Sequence, residues 1–182
     1  MRYTKLIAAL AAALFLFCAC NPAGGSEELT TAQQTGTEYQ SSWITGISLE
    51  QASANTAVAD WFALCATEER NDIGHYVLRY VVNNPDGTTT AHLLLYRSAT
   101  EQDFKSFDVS FTEESGLLTV TPTYNSSDKS VHGYDLIYLC LTYRADLKLS
   151  VELLVDGDYP GQIVTSTSTP ITPDTLGVNA NE

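Results

Sequence analysis

His75-Tyr76-Val77-Leu78-Arg79-Tyr80-Val81-Val82-Asn83 and Thr88-Thr89-Thr90-Ala91-His92-Leu93-Leu94-Leu95-Tyr96-Arg97 flank Asn84-Pro85-Asp86-Gly87, and this stretch decides the fold class. β-Branched and aromatic residues dominate both arms, which suits pleated strands. Pro85 fits the first corner of the turn, and Gly87 supplies the positive φ of a three-residue bulged hairpin. That turn fixes a register with Tyr76 opposite Tyr96, Leu78 opposite Leu94, Tyr80 opposite His92 and Val82 opposite Thr90. One face is therefore aromatic and apolar. The other, with Val77, Val81, Ala91, Leu93 and Leu95, is also apolar apart from Arg79, so the hairpin calls for cover on both sides.

Two more hairpins follow from alternation. Phe107, Val109 and Phe111 alternate with Asp108, Ser110 and Thr112, and Glu113-Glu114-Ser115-Gly116 turns the chain into Leu117 to Thr123. Pro122 implies that this strand lies at an edge or ends there. Tyr134 to Tyr143 and Leu147 to Val155 read as a third hairpin around Arg144-Ala145, with Leu147, Leu149 and Val151 facing Leu136, Tyr138 and Cys140. On that reading Cys140 is a core residue.

Upstream, Ser48-Leu49-Glu50-Gln51 has the form of a capping box, and Val58, Trp61, Phe62, Leu64 and Cys65 recur at helical spacing. The spacing predicts a helix over 49–67, with Trp61 and Phe62 as core anchors and a short strand over 43–47 before it. The class is mainly β: an antiparallel β-sandwich of about six to seven strands, made of three successive hairpins with one N-terminal α-helix. The alternative is an α+β arrangement, with one curved antiparallel sheet packed on the helix.

Around this single domain, 42–164, lie three segments of different composition. Residues 20–41 are rich in Gly, Ser, Thr, Gln and Glu and read as a flexible tether of roughly 25 Å root-mean-square reach. Residues 165–182 read as a disordered Ser/Thr/Pro-rich tail. The third segment, 1–19, opens with Arg2 and Lys5 and continues in an apolar run from Leu6 to Phe17, the form of an export signal. The run is about 12 residues, roughly 18 Å as a helix, too short for a comfortable permanent span.

Phe17-Cys18-Ala19-Cys20 resembles the bacterial lipobox, with Phe17 where that family usually has Leu. The resemblance implies cleavage before Cys20 and diacylation of its thiol, which places the chain on the extracytoplasmic face of a cell membrane, lipid-anchored. Two acyl chains supply the dual anchoring that one chain does not. The likeness covers only the first 20 residues or so and names no family for the mature domain.

Loss of residues 1–19 removes Arg2 and Lys5 and no acid, which leaves 7 basic against 22 acidic residues. That balance excludes nucleic acid, whose phosphates need neutralisation by Lys and Arg. It also excludes an electrostatic grip on anionic lipid beyond the acyl anchor.

No reactive constellation stands out. His75, His92 and His132 do not converge in the predicted registers, and no His-x-x-x-His or Cys-x-x-Cys spacing offers a zinc site. Asp156-Gly157-Asp158, and Asp86 beside Asn83 and Asn84, lack the ligand spacing of an EF-hand loop and read as turns. No catalytic residue, cofactor or metal is therefore assigned. Cys65 and Cys140 both sit among apolar neighbours, either as two buried thiols or as a bridge between helix and sheet. Tyr124, Tyr134, Tyr143 and Tyr159, near strand ends, could offer stacking surfaces to a sugar or a protein. The expected role is a non-catalytic binding or accessory module for a protein, glycan or other envelope component. Two alternatives remain open: a small envelope hydrolase with a site assembled from scattered acids or His92, and a protease-inhibitor-like domain with a protruding loop at 98–105 or 124–133.

Overall fold

The computed structural model describes residues 29–69, 75–100, 102–126, 132–151 and 163–178 of the 182. The Cys20 segment and Asp156 to Tyr159 lie outside them. The described chain is mainly β. Nine strands form two mixed sheets. The six-stranded sheet contains β1 (Thr30–Thr35), β2 (Tyr39–Thr45), β7 (His132–Arg144), β4 (Thr88–Thr100), β3 (His75–Asn83) and β9 (Ile163–Ser166), in that order. The three-stranded sheet contains β5 (Gln102–Thr112), β6 (Leu117–Ser126) and β8 (Lys148–Val151).

The first hairpin has the register that its turn demands: Tyr76 faces Tyr96, Leu78 faces Leu94, Tyr80 faces His92 and Val82 faces Thr90. Gly87 has φ 82°, and the Asp86 carboxylate accepts from the Thr88 amide at 3.0 Å, which locks the corner. The second hairpin also pairs as its alternation requires, with Val109 opposite Val120 and Phe111 opposite Leu118. Among the described residues β8 pairs with Leu117 to Val120, and Pro122 lies beyond that ladder.

Among the described residues the third hairpin does not form. β7 lies between β2 and β4, whereas β8 leaves for the other sheet and runs parallel to β6. Leu147, Leu149 and Val151 share a face, as their alternation implies, but they bury against the second hairpin. Leu136 and Tyr138 point to the opposite side of the large sheet. β9 adds a second parallel pairing, with β3.

One core lies between the sheets. Val77, Leu93, Leu139 and Leu141 of the large sheet meet Phe107, Leu118 and Val120 of the small one, and Trp43 packs edge-on against Phe107 at 5.8 Å. A second core covers part of the large sheet's outer face, and it is helical. The predicted helix is two helices, α1 (Leu49–Ala52) and α2 (Thr56–Glu69). Ser48 caps the first through the Gln51 amide at 3.1 Å. Asn55 stands at the break and accepts from the Ala57 amide at 3.1 Å. Trp61, 1 % exposed, anchors α2 against Tyr96.

Both flanking segments are partly structured. β1 occupies part of the stretch read as tether, because an edge strand needs one partner's backbone bonds and little apolar cover; Thr31, Gln33 and Thr35 face out while Ala32 packs inward. The stretch read as a disordered tail completes β9 and then crosses the sheet as a strap. Ile171, Leu176 and Val178 are fully buried in the outer core, and Asn55 donates to the Pro170 carbonyl at 2.9 Å to hold it there. The strap ends in a 3-10 turn, Asp174–Leu176, closed by Gly177 at φ 67°. Residues 98–100 and 102–105 lie in β4 and β5 and 124–126 in β6, which leaves little of either expected protruding loop among the described residues.

Candidate functional site

The outer face of the large sheet is layered in rows that run across its strands. Tyr76, Tyr96 and Leu136 lie beneath α2, and the next row, Leu78, Leu94, Tyr138 and Ile44, shares the outer core with the strap. Beyond the strap the chemistry changes. The third row is Tyr80, His92, Cys140, Ser42 and Gln33, and the fourth is Val82, Thr90, Thr142, Gln40 and Thr35. None of these ten positions carries a carboxylate, ammonium or guanidinium, in a chain with 22 acids and 9 bases. Gln33, Thr35 and Gln40 are exposed and the others half-buried.

Local chemistry pre-orders both rows. In the fourth, Asn84 Nδ2 donates to Thr90 Oγ1 at 2.9 Å, and Thr90 Oγ1 and Thr142 Oγ1 are 3.0 Å apart, a hydroxyl pair made by cross-strand register. Asn84 also donates to Thr88 Oγ1 at 2.9 Å, which ties this chain to the hairpin turn. In the third row, His92 lies between two phenol rings, 5.6 Å from Tyr80 and 6.1 Å from Tyr138, both at an interplanar angle of 29°. Its faces are turned on its neighbours, so the row offers a ligand ring edges and polar tips.

Tyr138 ties the third row to the core. Its hydroxyl lies 2.6 Å from His92 Nδ1 and faces the Cys140 thiol, two residues along the same strand. Burial raises the Tyr138 hydroxyl far above its usual range, helped by the nearby Cys140 and Asp174 side chains. Burial also lifts the Cys140 thiol above its usual range against a smaller opposing pull from Tyr138, and lowers the His92 imidazole below its ordinary 6.5. All three groups are therefore neutral at pH 7, with Tyr138 as the centre. No thiolate–imidazolium pair of the kind that activates a cysteine nucleophile forms here.

The histidines stay apart: His75 pairs with Arg97 and His132 with Thr100, towards the other end of the strands. Cys65 is on the buried face of α2, and no bridge joins it to Cys140, which sits at the margin of the outer core. Among the described residues no three of His, Cys, Asp and Glu come together, and Asp86 is held by Thr88. The tyrosines expected as a stacking surface are dispersed. Tyr143 is buried between the sheets, Tyr124 lies under the Arg97 guanidinium at 3.8 Å, and Tyr134 is exposed beside Tyr96. The His92–Tyr80 contact was legible from the first hairpin. The His92–Cys140 pairing was not, because it depends on β4 meeting β7. No family model, curated protein or solved structure matches the chain.

Proposed function

We propose that this chain is an extracytoplasmic lipoprotein, anchored through acylated Cys20, whose β-sandwich serves as a non-catalytic binding module. Its ligand meets the uncovered half of the large sheet's outer face. The carrying observation is the absence of charged side chains from ten neighbouring positions on that face, in a strongly acidic chain. A surface of hydroxyls and amides without net charge suits an uncharged, hydrogen-bonding partner. An envelope glycan fits that chemistry better than a basic protein, which the acidic surfaces elsewhere would attract.

The hydrolase alternative has less support, because among the described residues no three of His, Cys, Asp and Glu come together around His92 or elsewhere. The inhibitor-like alternative loses most of the loop at 98–105 to strands. Two measurements test the proposal separately. Metabolic labelling with a palmitate analogue marks the chain, and Cys20→Ala abolishes the label; labelling that survives this change refutes the anchor. Sedimentation of the full chain with purified envelope glycan detects binding. Paired Thr90→Lys and Thr142→Lys changes abolish it, whereas Lys105→Glu in β5 leaves it intact. Equal retention by all three proteins refutes the face.

A further inference from the structure

We infer that His92 and Cys140 form a binding site for a soft monovalent metal ion, with Cu(I) as the ion of choice. The two residues are direct partners on adjacent strands. Side chains so opposed have Cβ atoms about 5 Å apart, a span that one ion bonded to a sulfur and a nitrogen can bridge. Both side chains are half-buried rather than sealed, at the edge where the strap stops covering the sheet. Tyr138 already brings the donors into one constellation, since its hydroxyl is 2.6 Å from His92 Nδ1 and faces Cys140.

The donor set selects the ion. Thiolate and imidazole together favour copper and zinc over hard cations. No third histidine, cysteine or carboxylate joins them among the described residues, so a tetrahedral zinc site lacks its ligands. Two strong donors, with the Tyr138 oxygen as a weak third, match an ion content with low coordination. Binding replaces the thiol proton: Cu(I) bonds to Sγ, one proton leaves to solvent, the imidazole donates a neutral lone pair, and no electron moves. The site stands on the His92–Cys140 pairing and does not rest on the glycan reading, although both residues belong to the third row of the same face.

The test is a Cu(I) titration of the full chain under anaerobic conditions against a chromogenic chelator, with Cys18 and Cys20 changed to Ser so that Cys65 and Cys140 are the remaining cysteines. One Cu(I) binds, with release of one proton and a sulfur-to-copper absorption band. Cys140→Ser abolishes binding and His92→Gln weakens it at least roughly 100-fold, on the scale of a lost ligand or its support. Cys65→Ser leaves it unchanged, with near-ultraviolet circular dichroism confirming the fold of each variant. An undiminished affinity in folded His92→Gln overturns the site, because the thiol alone would then hold the ion. Zn(II) that competes equally with Cu(I) overturns the assignment of the ion.

Discussion

The two faces of the six-stranded sheet come from the same strands but bury their side chains differently. The inner face packs against a second sheet, and Leu93, Leu139 and Leu141 are fully buried there among residues from β5, β6 and β8. The outer face is covered by helices and a strap over its first two rows and then left open. Aliphatic side chains, apart from Val82, stop where the cover stops. The sheet therefore has a face that serves mainly stability, with Val81 and Val164 exposed towards its β3–β9 margin, and one that divides its length between stability and a neutral polar surface.

Truncation compares the two faces most directly. Leu93→Ala removes a fully buried side chain at the centre of the inner core and is expected to cost about 3–5 kcal/mol in chemical denaturation. Leu176→Ala removes an equally buried leucine from the strap, where the short 3-10 turn can settle into the space, and about 2–3 kcal/mol is expected. A larger loss at Leu176 than at Leu93 would reverse the ranking of the cores. Tyr138→Phe keeps the ring and removes the hydroxyl that His92 and Cys140 share, which should cost about 1 kcal/mol. No loss at all would mean that the hydrogen bond to His92 contributes nothing to the fold.

The smallest expected effect concerns pH. His92 has a lowered pKa in the folded chain, so the unfolded state takes up its proton first as pH falls. Stability is fully present above the ordinary histidine range, falls as pH drops through about 6.5 and levels off below the folded value. His92→Gln should flatten that part of the profile, with Tyr80, Tyr138, Cys140 and Asp174 left in place. An unchanged slope would show that His92 does not titrate between folded and unfolded chains.

Much of the fold was legible wherever pairing was local. The Asn84-Pro85-Asp86-Gly87 turn determined the β3–β4 register residue by residue, and alternation around Phe107 did the same for β5 and β6. Reading failed where a strand chose a distant partner. Leu147, Leu149 and Val151 have the pattern of a strand that buries one face, but a pattern names a face and not the strand opposite it, and β8 crosses to the other sheet. Composition misled at both ends. Ile171, Leu176 and Val178 are diluted by Thr and Pro, yet three large side chains are enough to seat a strap. Thr30 to Thr35 lacks large aliphatics because an edge strand needs few. The candidate surface was half legible for the same reason: Tyr80 and His92 share a hairpin, whereas Cys140, Thr142, Ser42 and Gln33 reach them only through long-range pairing.

The strap also orders events in time. Ile171, Leu176 and Val178 emerge from the ribosome after every strand they cover, at roughly 5–20 residues per second. Until they do, Leu78, Leu94 and Tyr138 have only part of their native cover, whereas the inner core has all its strands once β8 is made. The outer core therefore closes only after the strands of the inner core have been made.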